Sequence, residues 1–378
     1  ATHLTYKDVQ PKMKDLVKAL FQTVPTGVGA KGAIRKLSKD EERQVLTHGA
    51  EWAVEHGYGH QDDLYTTEAN GRLDGADPEA VTDKALERGT AQVGTLGSGN
   101  HFLEVDVVDR VFHPTAAEVL GLYEGCVTIL IHCGSRGFGY QTCDDYLGRM
   151  GKVVSKYGIF IPDRQLACAP IDSPEGKEYI AAMRCAANYA WCNRQVIMYL
   201  ARECLLKVLA VSPQDLGFRL VYDVAHNIAK FEEYEVEGKV RQLCIHRKGA
   251  TRAFPPGHPE TPEAYREIGQ PVLIPGDMGT CSYVCVGTER AMGETFGSSA
   301  HGAGRMLSRS EAKRRSKGRA INRELEDRGI VVMSMGRATL DEEMPEAYKN
   351  VEEVVDVMHR AGIMRKVARL RPVGVIKG

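Results

Sequence analysis

Four of the twelve histidines sit in surroundings small, polar and flexible enough to offer an imidazole to a ligand. They are His101 in GSGNHFLE, His132 in ILIHCGSRG, His226 in YDVAHNIAK and His301 in FGSSAHGAGR. Neutral imidazole is a common ligand for divalent transition ions, and a neighbouring carboxylate can fix its orientation. His101, His132 and His226 fall where short apolar runs meet glycine-rich loops, so a sheet could gather them although the sequence keeps them apart. Each alone reads more readily as structural. Their shared setting at strand ends puts a metal site level with that reading.

His301 differs because Ser298, Ser299, Ala300, Gly302, Ala303 and Gly304 surround it. Residues this small let a bulky phosphorylated ligand approach the backbone, and Arg305 and Arg309 follow within reach of phosphate charge. That pattern suits a nucleophilic histidine attacking phosphorus. The competing reading is a glycine-rich turn capping a helix that begins near Arg305.

Commoner nucleotide signatures do not match. GSGNHF has the first two glycines of a dinucleotide fingerprint, but Phe102 occupies the third place and a strand follows instead of a helix. No Gly-Lys pair is followed by Ser or Thr, which excludes a P-loop. RLDG at 72–75 has Arg72 where a lysine nucleophile of the KxDG type would stand. Covalent nucleotide chemistry here needs another nucleophile.

The elements that must position these residues can be outlined. Thr5 precedes an apolar face of Val9, Met13, Leu16, Val17 and Leu20 at helical spacing. Ser38 and Glu41 form a capping box ahead of Val45, Leu46, Trp52 and Ala53, with Gly57 as the stop. Asp77 and Pro78 open a third helix that Gly89 closes. From Leu96 the texture changes to short strands ending in polar loops: HFLEVDVV, CVTILI and RLVYDV. A long helix is expected over about 177–210. No repeat or low-complexity linker interrupts the chain, so the expected architecture is α+β, a single large mixed domain over 1–378 with central sheets surrounded by helices.

Composition restricts the partners. Lys+Arg 49 against Asp+Glu 50 gives no overall basic character, so a nucleic-acid partner has to bind through local patches. The stretch Lys313 to Arg319 is either such a patch or a solvated helix face. The longest apolar runs fall far short of the roughly 20 residues of a membrane helix, and the first residues have no signal-peptide character. A cytoplasmic location with no membrane partner is the expectation. Ten cysteines without a CxxC pair read as reduced thiols and speak against a zinc ribbon.

The strings GSGNHFLEV, HCGSRGFG, AANYAWCNRQ, DVAHNIAKFEE, HRKGATRAFPPGH, GQPVLIPGDMGTCSYV, FGSSAHGAGRMLSR, EAYKNV and RPVGVIKG occur in that order along nearly the whole chain. Together they resemble the RtcB family of tRNA-splicing RNA ligases. The resemblance implies an enzyme that uses Mn²⁺ and GTP to join an RNA 2′,3′-cyclic phosphate or 3′-phosphate to a 5′-hydroxyl, in tRNA splicing or RNA repair. It implies that His301 takes GMP from GTP as a phosphoramidate, and that His101, His132 and His226 are metal ligands. By the same resemblance Asn100, Glu104, Asn227, Ser282, Tyr348 and Lys377 form the guanylate pocket. The loops Pro275, Gly276, Asp277, Met278 and Gly302, Ala303, Gly304 complete it. Arg88, Arg136 and Arg309 correspond to arginines near the RNA or phosphate path, and RNA and an archease-type activator are the implied partners.

The sequence departs from the family at three places. The family's N-terminal DxxCG segment, with a metal-ligating Asp and a bridging Cys, has no counterpart, so the expectation is an N-terminally incomplete domain or a member without that ligand set. Tyr140 stands where the family usually has His, and Asp277 where a small hydroxyl residue is common. Asp277 is expected to repel phosphate. The alternatives to a sealing enzyme are a paralogue or fragment that binds GTP or RNA without sealing, and a non-catalytic RNA-binding subunit.

Overall fold

The computed structural model describes residues 1–378. Its strands are β1 (Phe102–Val111), β2 (Val127–His132), β3 (Asn227–Val236), β4 (Lys239–Lys248), β5 (Ala250–Arg252), β6 (Pro271–Ile274), β7 (Ser282–Gly287), β8 (Ser298–Ala300), β9 (Val331–Ser334) and β10 (Met364–Lys377). The main sheet runs β2-β1-β10-β7-β6, and β9 pairs in parallel with β10. Two small ladders, β3 with β4 and β5 with β8, lie outside it. This is the mixed α+β architecture expected from the sequence.

Period-two alternation explains how β1 serves both core and site. Leu103, Val105 and Val107 point into a core shared with Met13, Leu16, Val17 and Leu20 of the helix Met13–Thr23 and with Ile197, Ala201 and Leu205 of the helix Pro174–Leu209. The opposite face carries Phe102, Glu104 and Asp106, also buried. Register then aligns chemistry across strands: Phe102 pairs with His132 on one side and with Lys377 on the other. Strands with unrelated sequences thereby place an imidazole and an ammonium in one row.

The helical expectations hold with local breaks. The apolar face from Val9 to Leu20 is buried, interrupted by a short 3-10 turn at Gln10–Lys12 that contains Pro11. Ser38 and Glu41 make both capping-box bonds, at 3.2 and 2.9 Å. That helix ends at His48 and a second begins at Ala50, because Gly49 turns out at φ +59° where a Cβ would meet the Gly71 carbonyl oxygen at 2.1 Å. Asp77 and Pro78 open only the 3-10 turn Pro78–Ala80. Val81 is extended, and Thr82 caps a new helix, Asp83–Gly89.

RLVYDV is not a strand. Its backbone is shared among unrelated segments: Arg219 N–H donates to the Ala1 carbonyl, Asp223 N–H to Thr66, and Asp223 accepts from Glu68 N–H at 2.8 Å. Tertiary partners override the β-branched composition, and His226 ends a tethered loop just before β3. Likewise no helix begins near Arg305. Arg305 bridges to Tyr348, and the helix Arg309–Arg315 starts behind Ser308.

Candidate active site

The end of β2 carries His132 and a loop carries His226, and three buried side chains tie the two together. Arg194, on the long helix, donates from Nε to both Asp223 oxygens at 2.8 and 2.9 Å and from Nη1 to the Cys133 carbonyl at 3.1 Å. One guanidinium thus joins the residue after His132 to the loop before His226. Asn193, one position earlier, donates to the Gly134 and Thr95 carbonyls and accepts from the Gly94 and Thr95 N–H groups. Glu68 accepts from Ala225 N–H and from Lys230 Nζ, each at 2.8 Å, and so grips both sides of His226. Although burial opposes it, the charges of Lys230 and Arg252 bring the Glu68 pKa down to about 2.

The imidazoles are close. His132 Nε2 and His226 Nε2 stand 3.0 Å apart, and the ring centroids of His226 and His301 are 4.5 Å apart. Burial pushes the His132 pKa well below its usual value and that of His226 down to about 3, with neighbouring histidines adding to both shifts. Burial also lowers that of His301. The rings are neutral at physiological pH, with lone pairs available.

Whether this donor set fits a cation can be judged from its geometry. Two nitrogens each about 2.1 Å from one transition ion stand roughly 3 Å apart, which is the His132–His226 arrangement. No third His, Cys, Asp or Glu completes a set with them. His101 is one ring further out, its centroid 6.0 Å from that of His132 and its Nδ1 3.8 Å from Cys133 Sγ. The three histidines therefore do not share one position. The pair fits one ion, and His101 could serve only a second, adjacent one. Gly97 makes the His101 position possible, since a Cβ there would lie 2.0 Å from His101 Nδ1 and 2.3 Å from Arg136 Nη1.

Next to the imidazoles lies a cavity of about 240 Å³. Asn100 and Glu104 line it from the start of β1, Pro275–Met278 and Ser282 from the β6–β7 connection, and Gly302–Gly304 from the loop after β8. Tyr348 and Lys377 close it, and His132 and His301 stand at its edge. Asn227 lies apart, on a more apolar cavity of about 280 Å³ that reaches His132, His226 and His301 from the other side. Asp277 lines the nucleotide-sized cavity, but its carboxylate accepts from Gly279 N–H at 2.8 Å and Thr280 Oγ1 at 2.7 Å. Its charge is engaged by its own turn, which weakens the expected repulsion of phosphate.

The arginines divide by how they are held. Arg305 donates to the Leu307 carbonyl, the Tyr348 hydroxyl and the Glu342 carbonyl at 3.1, 3.3 and 2.7 Å. Arg309 has only ion-pair contacts of 3.7 Å to Glu342 and Glu343 and is 58% exposed. Arg88 and Arg136 do not line the cavity. Arg136, at φ +54°, donates to Thr95 Oγ1 and the Gly27 carbonyl, and Arg88 lies 5.9 Å from the exposed Tyr140 ring.

Sequence reasoning passed over Arg194, Asn193, Glu68 and Glu343. Asn193 and Arg194 lie within AANYAWCNRQ, where two polar residues on a packed helix were the available signal. Glu343 sits in the acidic run DEEMPE, which reads as surface, yet it is 1% exposed and lines the cavity.

A family model described as tRNA-splicing ligase RtcB matches residues 1–378. The chain is 57% identical over 377 residues to the tRNA-splicing ligase RtcB of Archaeoglobus fulgidus, covering 100% of this chain and 78% of that protein. It is 54% identical over 377 residues to the Pyrococcus abyssi protein of that name, and 55% identical over 377 residues to the Methanocaldococcus jannaschii protein. All of this chain is covered in both matches, but only 41% and 39% of those longer relatives.

Proposed function

The chain belongs to the RtcB family of tRNA-splicing ligases, and on that footing we propose that it is an RNA ligase that joins a 3′-phosphate or 2′,3′-cyclic phosphate end to a 5′-hydroxyl end, using GTP, Mn²⁺ and His301. The observation that carries this reading is the position of His301 at the edge of the 240 Å³ cavity, 4.5 Å by ring centroid from His226 and neutral by burial. A neutral imidazole at the mouth of a nucleotide-sized cavity is an available nucleophile.

His301 attacks the α-phosphorus of GTP. A nitrogen–phosphorus bond forms, and the bond to the bridging oxygen breaks, releasing pyrophosphate. The RNA 3′-phosphate then displaces the histidine and takes GMP. The 5′-hydroxyl of the second RNA attacks the 3′-phosphorus, a phosphodiester forms, and GMP leaves. Mn²⁺ held by His132 and His226, with His101 at an adjacent position, would supply charge neutralisation and Lewis acidity at the phosphoryl oxygens. Glu104 and Lys377 offer an acceptor and a donor to the guanine edge. Arg309, the loosely held cation at the rim, is suited to a phosphate.

Incubation with α-labelled GTP and Mn²⁺ should give an acid-labile, alkali-stable protein adduct, and adding a 3′-phosphate RNA and a 5′-hydroxyl RNA should give the joined product. The His301→Ala variant should form neither. An adduct that persists in His301→Ala refutes the nucleophile, and an adduct without joining supports the nucleotide-binding alternative.

A further inference from the structure

We infer that Glu343 is a positioning residue of the nucleotide cavity, whose buried carboxylate holds Tyr348 and Arg305 in the arrangement that receives the base end of a guanine nucleotide. This rests on the reading of the 240 Å³ cavity as a guanine-nucleotide site.

Glu343 is 1% exposed, and no element of secondary structure requires a charge there. Oε2 accepts a short hydrogen bond from the Tyr348 hydroxyl. Oε1 lies 3.1 Å from Arg305 Nη1 and 3.7 Å from Arg309 Nε as ion pairs, but accepts no hydrogen bond. The Tyr348 hydroxyl in turn accepts from Arg305 Nη1, and the guanidinium lies 5.1 Å from the Tyr348 ring centroid. Tyrosine, arginine and glutamate form a closed triangle in the cavity wall.

Lys377 lines the same cavity. Its Nζ donates to the Gly99 carbonyl at 3.0 Å, which leaves two N–H donors. Burial pushes its pKa down. Glu343 and then Glu104 work against that, while Arg305 and Arg309 add to it. The Lys377 ammonium and the Glu104 and Glu343 carboxylates line one cavity, and this donor and acceptor set matches a guanine edge, which offers N–H donors and a carbonyl acceptor. The two carboxylates would repel a triphosphate. Glu343 therefore marks the base end, and the phosphates belong near His301 and Asn100.

The test compares affinities of the intact protein for GMP and for inorganic pyrophosphate. In Glu343→Gln, GMP affinity should fall about 10-fold, the scale of a lost charged hydrogen bond. Pyrophosphate affinity should stay within about 2-fold or rise, as expected when a negative charge is removed. A general loosening of the fold would weaken both. Parallel loss of both, or no loss of GMP affinity, overturns the inference. If Glu343→Gln does not fold, as judged by its melting transition, Glu343→Asp replaces it. That variant keeps the charge but withdraws it by one methylene, and unchanged GMP affinity there also overturns the proposal. A wild-type protein that binds no GMP overturns the guanine-nucleotide reading itself, a separate result.

Discussion

Around His132 and His226 the ion pairs are buried: Arg194–Asp223 at 2.7 Å with both side chains 13% exposed, and Lys230–Glu68 at 2.8 Å with 7% and 0% exposed. Along the rim of the nucleotide cavity they are not. Arg309 and Lys313, 58% and 48% exposed, share Glu342 at 21%. Buried pairs cannot be broken without stranding a charge in a poorly solvated interior, so they fix positions even where their net stabilisation is small. Solvent-facing pairs are worth little and exchange readily. The His132 and His226 imidazoles, 3.0 Å apart, are held by the first kind. Arg309, the arginine proposed to take a phosphate, is held by the second.

The largest effect should come from Glu68→Gln. The amide still accepts from Ala225 N–H and Arg252 keeps Glu260 at 2.5 Å, but Lys230 loses its ion-pair partner in the interior, which costs about 3–5 kcal/mol. Chemical denaturation reads this directly. A cost under about 1 kcal/mol would show that the loop before β3 is held by something else, and the contrast between the two regions would fail.

Acid sharpens the same point. Glu68 has a folded pKa lowered from 4.5 to about 2, so its contribution is present in full above about 4.5 and is lost as pH falls through about 2. A depression of that size corresponds to roughly 3 kcal/mol. Wild-type stability should decline across this window more steeply than that of Glu68→Gln, which has no carboxylate there to protonate. Parallel acid profiles would mean that Glu68 is not the group that titrates.

Arg305 is intermediate. It is 24% exposed, makes three hydrogen bonds and pairs with buried Glu343. Arg305→Ala should cost about 2–3 kcal/mol, because it removes charged hydrogen bonds and leaves Glu343 without its main counter-charge. A neutral substitution would place Arg305 with Arg309 as a rim residue and not a pillar.

The residues differ in how far the sequence disclosed them, and the reason is range. Helix faces such as Val9 to Leu20 and the Ser38–Glu41 box depend on neighbours within a turn or two, and they stand as read. His132 was visible because CVTILI is a strand whose end could be found. Glu104 and Lys377 carry no local signal. They entered through the resemblance, and only the pairing of β1 with β10 explains why a residue at 377 sits beside residues at 100 to 104. RLVYDV misled because its backbone bonds are contributed by Ala1, Thr66 and Glu68, partners no window around 220 contains. Asn193 and Glu343 were hidden for a related reason: a buried polar side chain is recognised by what it binds, and here those partners lie mostly far along the chain.

Arg309→Ala should have the smallest effect on stability and a distinct effect on binding. Arg309 makes no hydrogen bond, its two carboxylate contacts are both 3.7 Å, and the side chain is 58% exposed. An exposed pair of that length contributes about 0–1 kcal/mol, so the unfolding free energy should change by no more than about 1 kcal/mol. The charge lost nevertheless faces the cavity mouth, where Glu342 and Glu343 would remain without it. Pyrophosphate affinity should therefore fall several-fold at low salt. The gap from wild type should narrow as ionic strength rises, because screening at 0.1 M already acts over about 10 Å. A stability loss above about 1.5 kcal/mol would make Arg309 a structural residue like Arg305. An unchanged pyrophosphate affinity would show that the loosely held arginine is simply solvated, and that phosphate is received elsewhere on the rim.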